Sequence, residues 1–316
     1  MIGSPTAADT VAAWAHRYLL DVDHLSRAEI ERCLGLAVEM RARRDARERM
    51  DLLRDEIVGL AFYEPSTRTR VSFELAARAL GATTVDLSVA GSSVGKGESL
   101  IDTLRTLERT GVTTIVLRHA ASGAPYLAAR STGARIVNAG DGTHAHPTQA
   151  LLDALTLRDA LGQLDGRKVA IVGDVAHSRV ARSNLHVLPR LGASVWIAGP
   201  PAFLAGFQGW PGVRVAADLD EALLDADAVM TLRVQLERAA GGGIPSLAEY
   251  AAAWGLTTER LAKARPMAPV LHPGPTTEGV EISAELAASD RSLIGRQVMN
   301  GVPVRMAVLA LVAGAV

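Results

Sequence analysis

Apolar segments of strand length alternate with segments of helical periodicity along most of the chain, and this alternation constrains the fold more than any other feature. Strands that are separated by helices form parallel sheets with right-handed crossover connections. A capping box at Ser26 and Glu29 predicts the start of the first helix. The predicted strands are residues 57–63, 83–87, 113–117, 135–138, 168–172, 194–197, 228–232 and 270–271. The later predicted helices are residues 67–80, 99–110, 147–161, 178–191 and 298–312.

The length of 316 residues suits two domains of about 150 residues each. We expect an α/β protein with two doubly wound domains, mainly parallel sheets and a C-terminal helix that crosses back to the first domain. The first domain is predicted to comprise residues 1–147 plus 297–316 and the second residues 148–296, with helix 147–161 as the connection. Gly301 and Pro303 lie near the predicted start of the last helix, at residue 298.

The composition argues against several classes of protein. The formal net charge is −1, and the arginines of residues 41–49 are interleaved with acidic residues, so a nucleic acid is not an expected partner. The single cysteine, Cys33, excludes an intrachain disulfide and a cysteine-ligated zinc site, and it fits a reducing compartment. There is no signal-peptide pattern and no apolar run of about 18 residues, so we expect a cytoplasmic protein outside the membrane.

Hydroxyl and guanidinium groups gather directly after the first predicted strand. In open α/β sheets ligands bind beyond the carboxyl ends of the strands, and a helix start at this place offers free N–H groups to an anion. The candidate residues are Ser66, Thr67, Arg68 and Thr69, followed by Arg70. Arg118 follows the third predicted strand and would point into the same cleft. The alternatives are an ordinary helix cap with surface arginines and, for Arg118, a surface residue at a loop start.

His146 and Gln149 follow the fourth predicted strand and lie three residues apart at a helix start, so both can face the cleft. A histidine there could polarise a carbonyl, and an amide could bind an NH2 group. Two alternatives are a cap histidine and a metal pair formed by His144 and His146. His-x-His pairs occur in metal-dependent amidohydrolases, but those enzymes need an eight-unit barrel and further ligands. We therefore expect no metal.

The second half of the chain carries two arginines after predicted strands, Arg179 and Arg233, which together suit a substrate with two carboxylates. Either one alone could be an ordinary surface charge. A single glycine, Gly173, precedes this segment and does not make a dinucleotide-binding fingerprint. Pro273 and Gly274 follow the last predicted strand, and the backbone carbonyls of such a turn could accept hydrogen bonds from an NH2 group. The alternative is a rigid turn between two elements.

Taken together, these segments resemble the aspartate carbamoyltransferase family over nearly the whole chain. Residues 62–70 (FYEPSTRTR) are similar to the carbamoyl-phosphate signature of carbamoyltransferases, and residues 146–149 (HPTQ) with 151–153 (LLD) to the second shared motif. Residues 233–238 (RVQLER) and 272–275 (HPGP) match the aspartate branch. The ornithine branch instead has His-Cys-Leu-Pro at the latter place and a Ser-Met-Gly loop, which this chain lacks.

The resemblance implies transfer of a carbamoyl group from carbamoyl phosphate to the amine of L-aspartate, in pyrimidine biosynthesis, without a cofactor. The implied phosphate ligands are Ser66, Thr67, Arg68, Thr69 and Arg118. The implied oxyanion hole consists of Thr69, Arg118 and His146, and the NH2 group would be held by Gln149, Pro273 and Gly274. The implied aspartate ligands are Arg179, Arg233, Gln235 and Lys96. The resemblance also implies a homotrimer in which a neighbouring subunit supplies Lys96 and Ser92, with Ser93 as the alternative to Ser92.

Residues 276–281 (TTEGVE) depart from the family, in which Met-Asn-Arg-Gly-Val-Glu is usual. The lost arginine leaves the catalytic set intact. Three rival functions stay open: a carbamoyltransferase for another amino acid such as ornithine, a non-catalytic subunit, and a metal-dependent amidohydrolase. The resemblance also leaves regulatory or dihydroorotase-like partner subunits open.

Overall fold

The computed structural model describes residues 14–87, 98–235 and 246–316, and these residues form two separate parallel sheets. The strands are β1 (Ile57–Phe62), β2 (Thr83–Leu87), β3 (Thr114–His119), β4 (Arg135–Asp141), β5 (Lys168–Val172), β6 (Ser194–Ala198), β7 (Val213–Val215), β8 (Ala228–Thr231) and β9 (Val270–Leu271). The first sheet has the order β2-β1-β3-β4 and the second the order β7-β6-β5-β8-β9. Every pair of neighbouring strands is parallel.

Helices connect the strands as the alternation predicts. They are α1 (Arg27–Asp45), α2 (Thr67–Ala79), α3 (Leu100–Arg109), α4 (Ala124–Ser131), α5 (Pro147–Leu161), α6 (Arg179–Arg190), α7 (Leu219–Leu223), α8 (Leu247–Trp254), α9 (Thr258–Leu261), α10 (Ala284–Ala287) and α11 (Ile294–Ala313). The sequence pattern does not predict the short elements β7, α4, α7, α8, α9 and α10. Across the described ranges, no helix is both long and apolar enough to cross a membrane.

Successive residues of the central strands pack on opposite faces of each sheet. In β5, Val169 and Ile171 belong to the largest cluster of buried apolar residues, whereas Ala170 and Val172 belong to a second cluster on the other face. In β3, Val116 belongs to the largest cluster and Ile115 to a third. Because both faces of each sheet are covered, the central strands have continuous apolar sequences and not an alternation of apolar and polar residues. The predicted doubly wound α/β architecture is confirmed.

The last helix returns to the first sheet, as predicted, and packs against α1, α2 and α5. Its predicted start at residue 298 is wrong, because α11 begins at Ile294 and contains Gly301 and Pro303. A proline inside a helix removes one backbone hydrogen bond. Burial of both Gly301 and Pro303 among neighbouring helices provides the packing that offsets this loss.

The strands β3 and β4 extend farther than predicted, to His119 and Asp141. Arg118 therefore lies within the end of β3, and not after it. The ladder between the two strands is irregular between Leu117 and His119. Such an irregularity changes the direction of the side chains that follow, and it occurs here beside the cleft.

Candidate active site

The N-terminus of α2 is open to a cavity of about 710 Å³ between the two sheets. Ser66 is the N-cap residue, but its side chain makes no capping hydrogen bond to the helix. Its Oγ instead donates to Thr69 Oγ1 at 3.0 Å. The first N–H groups of a helix have no partner inside the helix, so these groups, together with the two hydroxyls, are suited to an anion.

Glu64 joins the two arginines that meet at the centre of the cavity. Arg118 Nη2 lies 2.5 Å from Glu64 Oε1, and its Nη1 donates to the carbonyl of Ala139 at 3.2 Å. Arg179, from the second sheet, donates through both of its terminal nitrogens to the same carboxylate. Gly140 makes this approach possible, since its φ is +115° and a Cβ there would lie 3.1 Å from both guanidinium groups. Glu64 therefore links the end of β1 to the start of α6.

His146 is buried at the N-cap of α5, with 4% of its surface exposed. Its backbone N–H donates to Ser183 Oγ at 2.9 Å, which fixes the residue. Its Nδ1 atom has no hydrogen-bond partner among the described residues. Burial, followed by the charges of Arg118 and Arg179, lowers the pKa of His146 well below its usual 6.5. The ring is therefore a neutral imidazole, which still carries one N–H donor.

Gln149 lies one turn after His146 and lines the same cavity. Its Nε2 donates to Asp153 Oδ1 at 2.9 Å. The carbonyl oxygen of the amide is therefore the end that remains for a ligand, and it can accept a hydrogen bond from an NH2 group.

The turn after β9 closes the cavity above Arg68. The backbone N–H of His272 donates to Gln297 Oε1 at 3.0 Å, and the N–H of Gly274 donates to His272 Nδ1 at 2.8 Å. Gly274 has φ +62°, and a Cβ at this position would lie 2.8 Å from Arg68 Nη1. A side chain there would displace the flexible end of Arg68, and the left-handed backbone at this position favours glycine.

The second sheet contributes the remaining predicted residues. Arg179 is the first residue of α6, and Arg233 and Gln235 follow β8. The backbone N–H of Gln235 donates to Asp174 Oδ2 at 3.2 Å, which holds this segment against the end of β5. The two sheets therefore present their carboxyl ends to one cavity.

Of the predicted site residues within the described ranges, all but Arg70 line this cavity, and Arg70 instead pairs with Asp86 at 3.0 Å. The residues that line the cavity are Ser66, Thr67, Arg68, Thr69, Arg118, His146, Gln149, Arg179, Arg233, Gln235, Pro273 and Gly274. Ser92, Ser93 and Lys96 lie outside the described residues, as do Glu237 and Arg238.

Four further residues line the cavity without being predicted from the sequence as site residues: Arg305, Ser72, Gln297 and Glu64. Arg305 is buried and lines the cavity, and its Nη1 donates to Ser72 Oγ at 2.9 Å. Burial, together with the charge of Arg118, lowers the pKa of Arg305 to about 9. A signal was present in the sequence, because Arg305 is a charged residue inside the apolar run of the last helix. Arg305 therefore adds a cationic group to the predicted arginines of the cavity, which favours a highly anionic ligand.

His144 does not join His146 at the cavity. Its Nδ1 lies 3.2 Å from Asp141 Oδ2 and its Nε2 lies 3.4 Å from Asp21 Oδ2. Within the described residues, no group of three or more acidic, histidine or cysteine side chains is arranged to hold a metal ion. The predicted alternative of a His144–His146 metal pair therefore lacks support in the geometry.

Comparisons with known proteins cover nearly the whole chain. Residues 17–159 match the family described as aspartate/ornithine carbamoyltransferase, carbamoyl-P binding domain, and residues 165–312 match its Asp/Orn binding domain. The aspartate carbamoyltransferase catalytic subunit of Chloroflexus aurantiacus is 52% identical over 304 residues, which cover 94% of this chain and 98% of that protein.

Two solved structures share the fold. Aspartate transcarbamoylase from Trypanosoma cruzi, in complex with N-(phosphonacetyl)-L-aspartic acid, has a TM-score of 0.84 at 33% identity and covers 93% of this chain and 94% of that one. Ornithine carbamoyltransferase from Pyrococcus furiosus has a TM-score of 0.85 at 27% identity and covers 97% of this chain and 100% of that one. With both of its halves matched, the chain belongs to the aspartate/ornithine carbamoyltransferase family.

Proposed function

We propose that this protein transfers the carbamoyl group of carbamoyl phosphate to the amine of L-aspartate and releases N-carbamoyl-L-aspartate and phosphate. The observation that carries the proposal is the convergence of an open helix N-terminus, a neutral histidine and arginines from both sheets on one cavity. Carbamoyl phosphate and aspartate are both anions, so a cavity with this charge suits both. The reaction is a step of pyrimidine biosynthesis.

Phosphate binds at the start of α2, where Ser66, Thr67, Arg68 and Thr69 offer backbone and side-chain donors. The carbamoyl oxygen accepts hydrogen bonds from Thr69, Arg118 and His146. These donors are in place before the reaction, so they stabilise the negative charge that develops on this oxygen when the amine attacks. Gln149 and the carbonyls of the turn at Pro273 hold the carbamoyl NH2 group.

Aspartate binds between the two sheets. Arg179 and Arg233 pair with its two carboxylates, and Gln235 lies beside them. Its neutral amine attacks the carbamoyl carbon, the C–N bond forms, and the bond from carbon to the phosphate oxygen breaks. Phosphate leaves with the electron pair and takes up the amine proton. Catalysis therefore rests on positioning and electrostatics, without a covalent enzyme intermediate.

The aspartate branch is favoured over the ornithine branch by charge. The ornithine side chain carries an amine that would be cationic if protonated, and it would meet Arg233 in the cavity. The curated relative from Chloroflexus aurantiacus is an aspartate carbamoyltransferase, at 52% identity, whereas the ornithine enzyme from Pyrococcus furiosus is 27% identical.

The division into domains and the assembly belong to the same proposal. Residues 1–147 with 297–316 form the carbamoyl-phosphate domain, residues 148–296 form the aspartate domain, and helix 147–161 connects them. The packing of α11 against α1 and α2 supports this division. The protein acts in the cytoplasm as a homotrimer in which Ser92 and Lys96 reach the active site of a neighbouring subunit. The resemblance of the 62–70 and 146–153 motifs to the family supports these assignments.

The test is phosphate release from carbamoyl phosphate, measured with L-aspartate, with L-ornithine and with neither. We expect release with aspartate alone, together with N-carbamoyl-L-aspartate identified by mass spectrometry. Activity of the isolated chain would also establish that no regulatory or dihydroorotase-like partner is needed. Release with ornithine would overturn the assignment of Arg233 and Gln235. A folded protein that is silent with both amino acids would contradict the proposed catalysis.

A further inference from the structure

A buried carboxylate, Asp153, lies directly behind the wall of the cavity and receives three amide groups. Its Oδ1 accepts from Gln149 Nε2 at 2.9 Å and from Gln297 Nε2 at 2.8 Å. Its Oδ2 accepts from Asn184 Nδ2 at 2.9 Å. The amides come from α5, α11 and α6, and Asp153 is 0% exposed. All three helices therefore meet at one side chain.

A carboxylate can only accept hydrogen bonds, so it dictates which end of each amide it faces. Gln149 must turn its NH2 toward Asp153, and its carbonyl oxygen is then the end left for the cavity. Gln297 must do the same, and its carbonyl oxygen then accepts from the backbone N–H of His272 at 3.0 Å. Asp153 thus sets the orientation of Gln149 and, through Gln297, supports the turn that contains Pro273 and Gly274.

Gln149 and the turn that contains Pro273 and Gly274 both face the carbamoyl NH2 group in the proposed complex. A carbamoyl NH2 donates two hydrogen bonds, whereas the methyl group of acetyl phosphate has nearly the same shape and donates none. If the Gln149 amide were reversed, its own NH2 would face one N–H of the ligand NH2 group, and neither of these two facing donors would have an acceptor. Burying a donor without an acceptor is unfavourable by the full desolvation free energy of that donor. The orientation of this one amide can therefore decide which acyl phosphate is preferred.

We propose that Asp153 is a positioning residue that fixes the Gln149 amide with its oxygen toward the cavity, and so selects a carbamoyl group over an acyl group of the same shape. The inference rests on the proposed function, because it assumes that the ligand is carbamoyl phosphate. Burial raises the pKa of Asp153 to about 6, against the effect of its hydrogen bonds from Gln297 and Asn184. At pH 8 the group is therefore a carboxylate and accepts only.

The experiment measures equilibrium dissociation constants at pH 8, by calorimetry, for carbamoyl phosphate, acetyl phosphate and inorganic phosphate. The wild-type protein should prefer carbamoyl phosphate to acetyl phosphate by about 10-fold or more. Asp153→Ala should lose most of this preference by weakening carbamoyl phosphate binding alone. Binding of acetyl phosphate and inorganic phosphate should stay within about 3-fold, because the start of α2 is unchanged.

A conservative variant separates orientation from charge. In Asp153→Asn the remaining oxygen can still accept from Gln149. The new NH2 can donate to Asn184 once the Asn184 amide turns over, although this turn removes the hydrogen bond from Asn184 Nδ2 to the carbonyl of Val180. Asn184 Oδ1 is available for this, since it has no hydrogen-bond partner among the described residues. Asp153→Asn should therefore retain the preference for carbamoyl phosphate within about 3-fold. If instead it behaves like Asp153→Ala, charge and not orientation is what the site needs, and the proposal is wrong.

Asp227 provides the matched control. It is buried, and it accepts from Arg167 at 3.0 Å and from the backbone N–H of Lys168 at 2.8 Å, at the amino end of β8 and away from the cavity. Asp227→Ala should lower the thermal midpoint without changing the preference between ligands. Should Asp153→Ala fail to fold, Asp153→Leu keeps the same branching of heavy atoms, although it is larger, and offers no acceptor. It is expected to lose the preference in the same way.

Three results would overturn the proposal: a wild type without preference, a preference retained in Asp153→Ala or Asp153→Leu, or equal weakening of all three ligands in these variants. The last result would mean that Asp153 is only structural. Because the readout is binding, it does not depend on turnover. A wild-type protein that binds carbamoyl phosphate selectively but releases no phosphate with aspartate would contradict the proposed function and leave the role of Asp153 intact.

Discussion

His146 shows how the environment of one residue sets its chemistry. An exposed histidine is partly protonated near neutral pH. His146 is instead buried beside arginines, and both effects lower its pKa, burial most strongly. A neutral ring can donate to an oxyanion without adding a further charge to a cavity that already holds several cations. His144, two residues earlier, has its pKa raised by its hydrogen bond to Asp141.

The pKa values of His146 and His144 should therefore lie on opposite sides of the usual 6.5. Nitrogen-detected NMR of the free protein should find His146 neutral between about pH 6 and 9. It should find His144 taking up its proton at a pH above the usual pKa of 6.5. Below pH 6.5 the unfolded chain binds a proton at position 146 that the folded chain does not, so His146 makes folding less favourable as the pH falls. A protonated His146 at pH 7 would contradict the assignment of a neutral donor.

Asp21 and Asp141 form a second pair with opposite shifts. Burial raises the pKa of Asp21 to about 6. Burial acts on Asp141 as well, but hydrogen bonds from His144, Gly123 and Asn138 outweigh it and lower its pKa. For Asp21, the stabilising contribution is complete below the usual pKa of 3.8 and is lost as the pH rises through 6. For Asp141, the contribution is present at neutral pH and is lost in acid.

Replacing each aspartate by asparagine should separate these effects. Relative to wild type, Asp21→Asn should gain stability as the pH rises from about 4 to 6, with a constant gain above that range. Asp141→Asn should lose stability at pH 8 and less in acid. Thermal midpoints measured at pH 4.5 and pH 8 provide the comparison. If the stability difference from wild type changed in the same direction between pH 4.5 and pH 8 for both variants, the opposite pKa shifts would be contradicted.

At the scale of elements, α1 and α2 begin with the same residue type used in two ways. Ser26 at the start of α1 completes a capping box with Glu29. Ser66 at the start of α2 leaves the helix uncapped and bonds Thr69 instead. A capping serine stabilises its helix, whereas an uncapped N-terminus keeps its N–H groups for a ligand.

Replacement of each serine by alanine should consequently have different effects on stability and on phosphate binding. Ser26→Ala should cost about 1 kcal/mol of stability and leave phosphate binding unchanged. Ser66→Ala should change stability by less than about 0.5 kcal/mol and weaken inorganic phosphate binding several-fold. Urea unfolding and calorimetry test both variants side by side. A Ser66→Ala variant that is destabilised but binds phosphate normally would make Ser66 a cap and not a ligand.

At the scale of the whole molecule, the proposed homotrimer predicts shared active sites. If Arg118 acts in its own subunit and Lys96 in the neighbouring one, Arg118→Ala and Lys96→Ala trimers are both inactive. Mixed trimers each regain one native site, because one interface then combines an intact Arg118 with an intact Lys96. Random reassembly of equal amounts should restore about one quarter of the wild-type activity.

The measurement is turnover after the two variants are dissociated together and reassembled. The control is each variant carried through the same procedure alone, which should stay inactive. Absence of recovery from trimers that have demonstrably mixed would mean that each subunit carries a complete site. In that case Lys96 would act on the site of its own chain.

The sequence by itself determined the alternation of strands and helices, the order of the elements and most of the cavity residues. These features depend on local chemistry: apolar runs and serine caps act within a few residues. Because the carboxyl ends of parallel strands meet at a common edge, the polar residues after each strand could be grouped before any contact was known. The strand β7 has three residues, too few for an alternating signal.

Only the tertiary structure decided how the grouped residues act on one another. Glu64 and Arg179 are 115 residues apart and meet because two sheets face one cavity. Asp153 and Gln297, 144 residues apart, meet because α11 returns across the molecule to α5. Burial then set the protonation of His146 and Asp153, and a pKa shift of this kind depends on the density of atoms around a group, which no local pattern in the sequence contains.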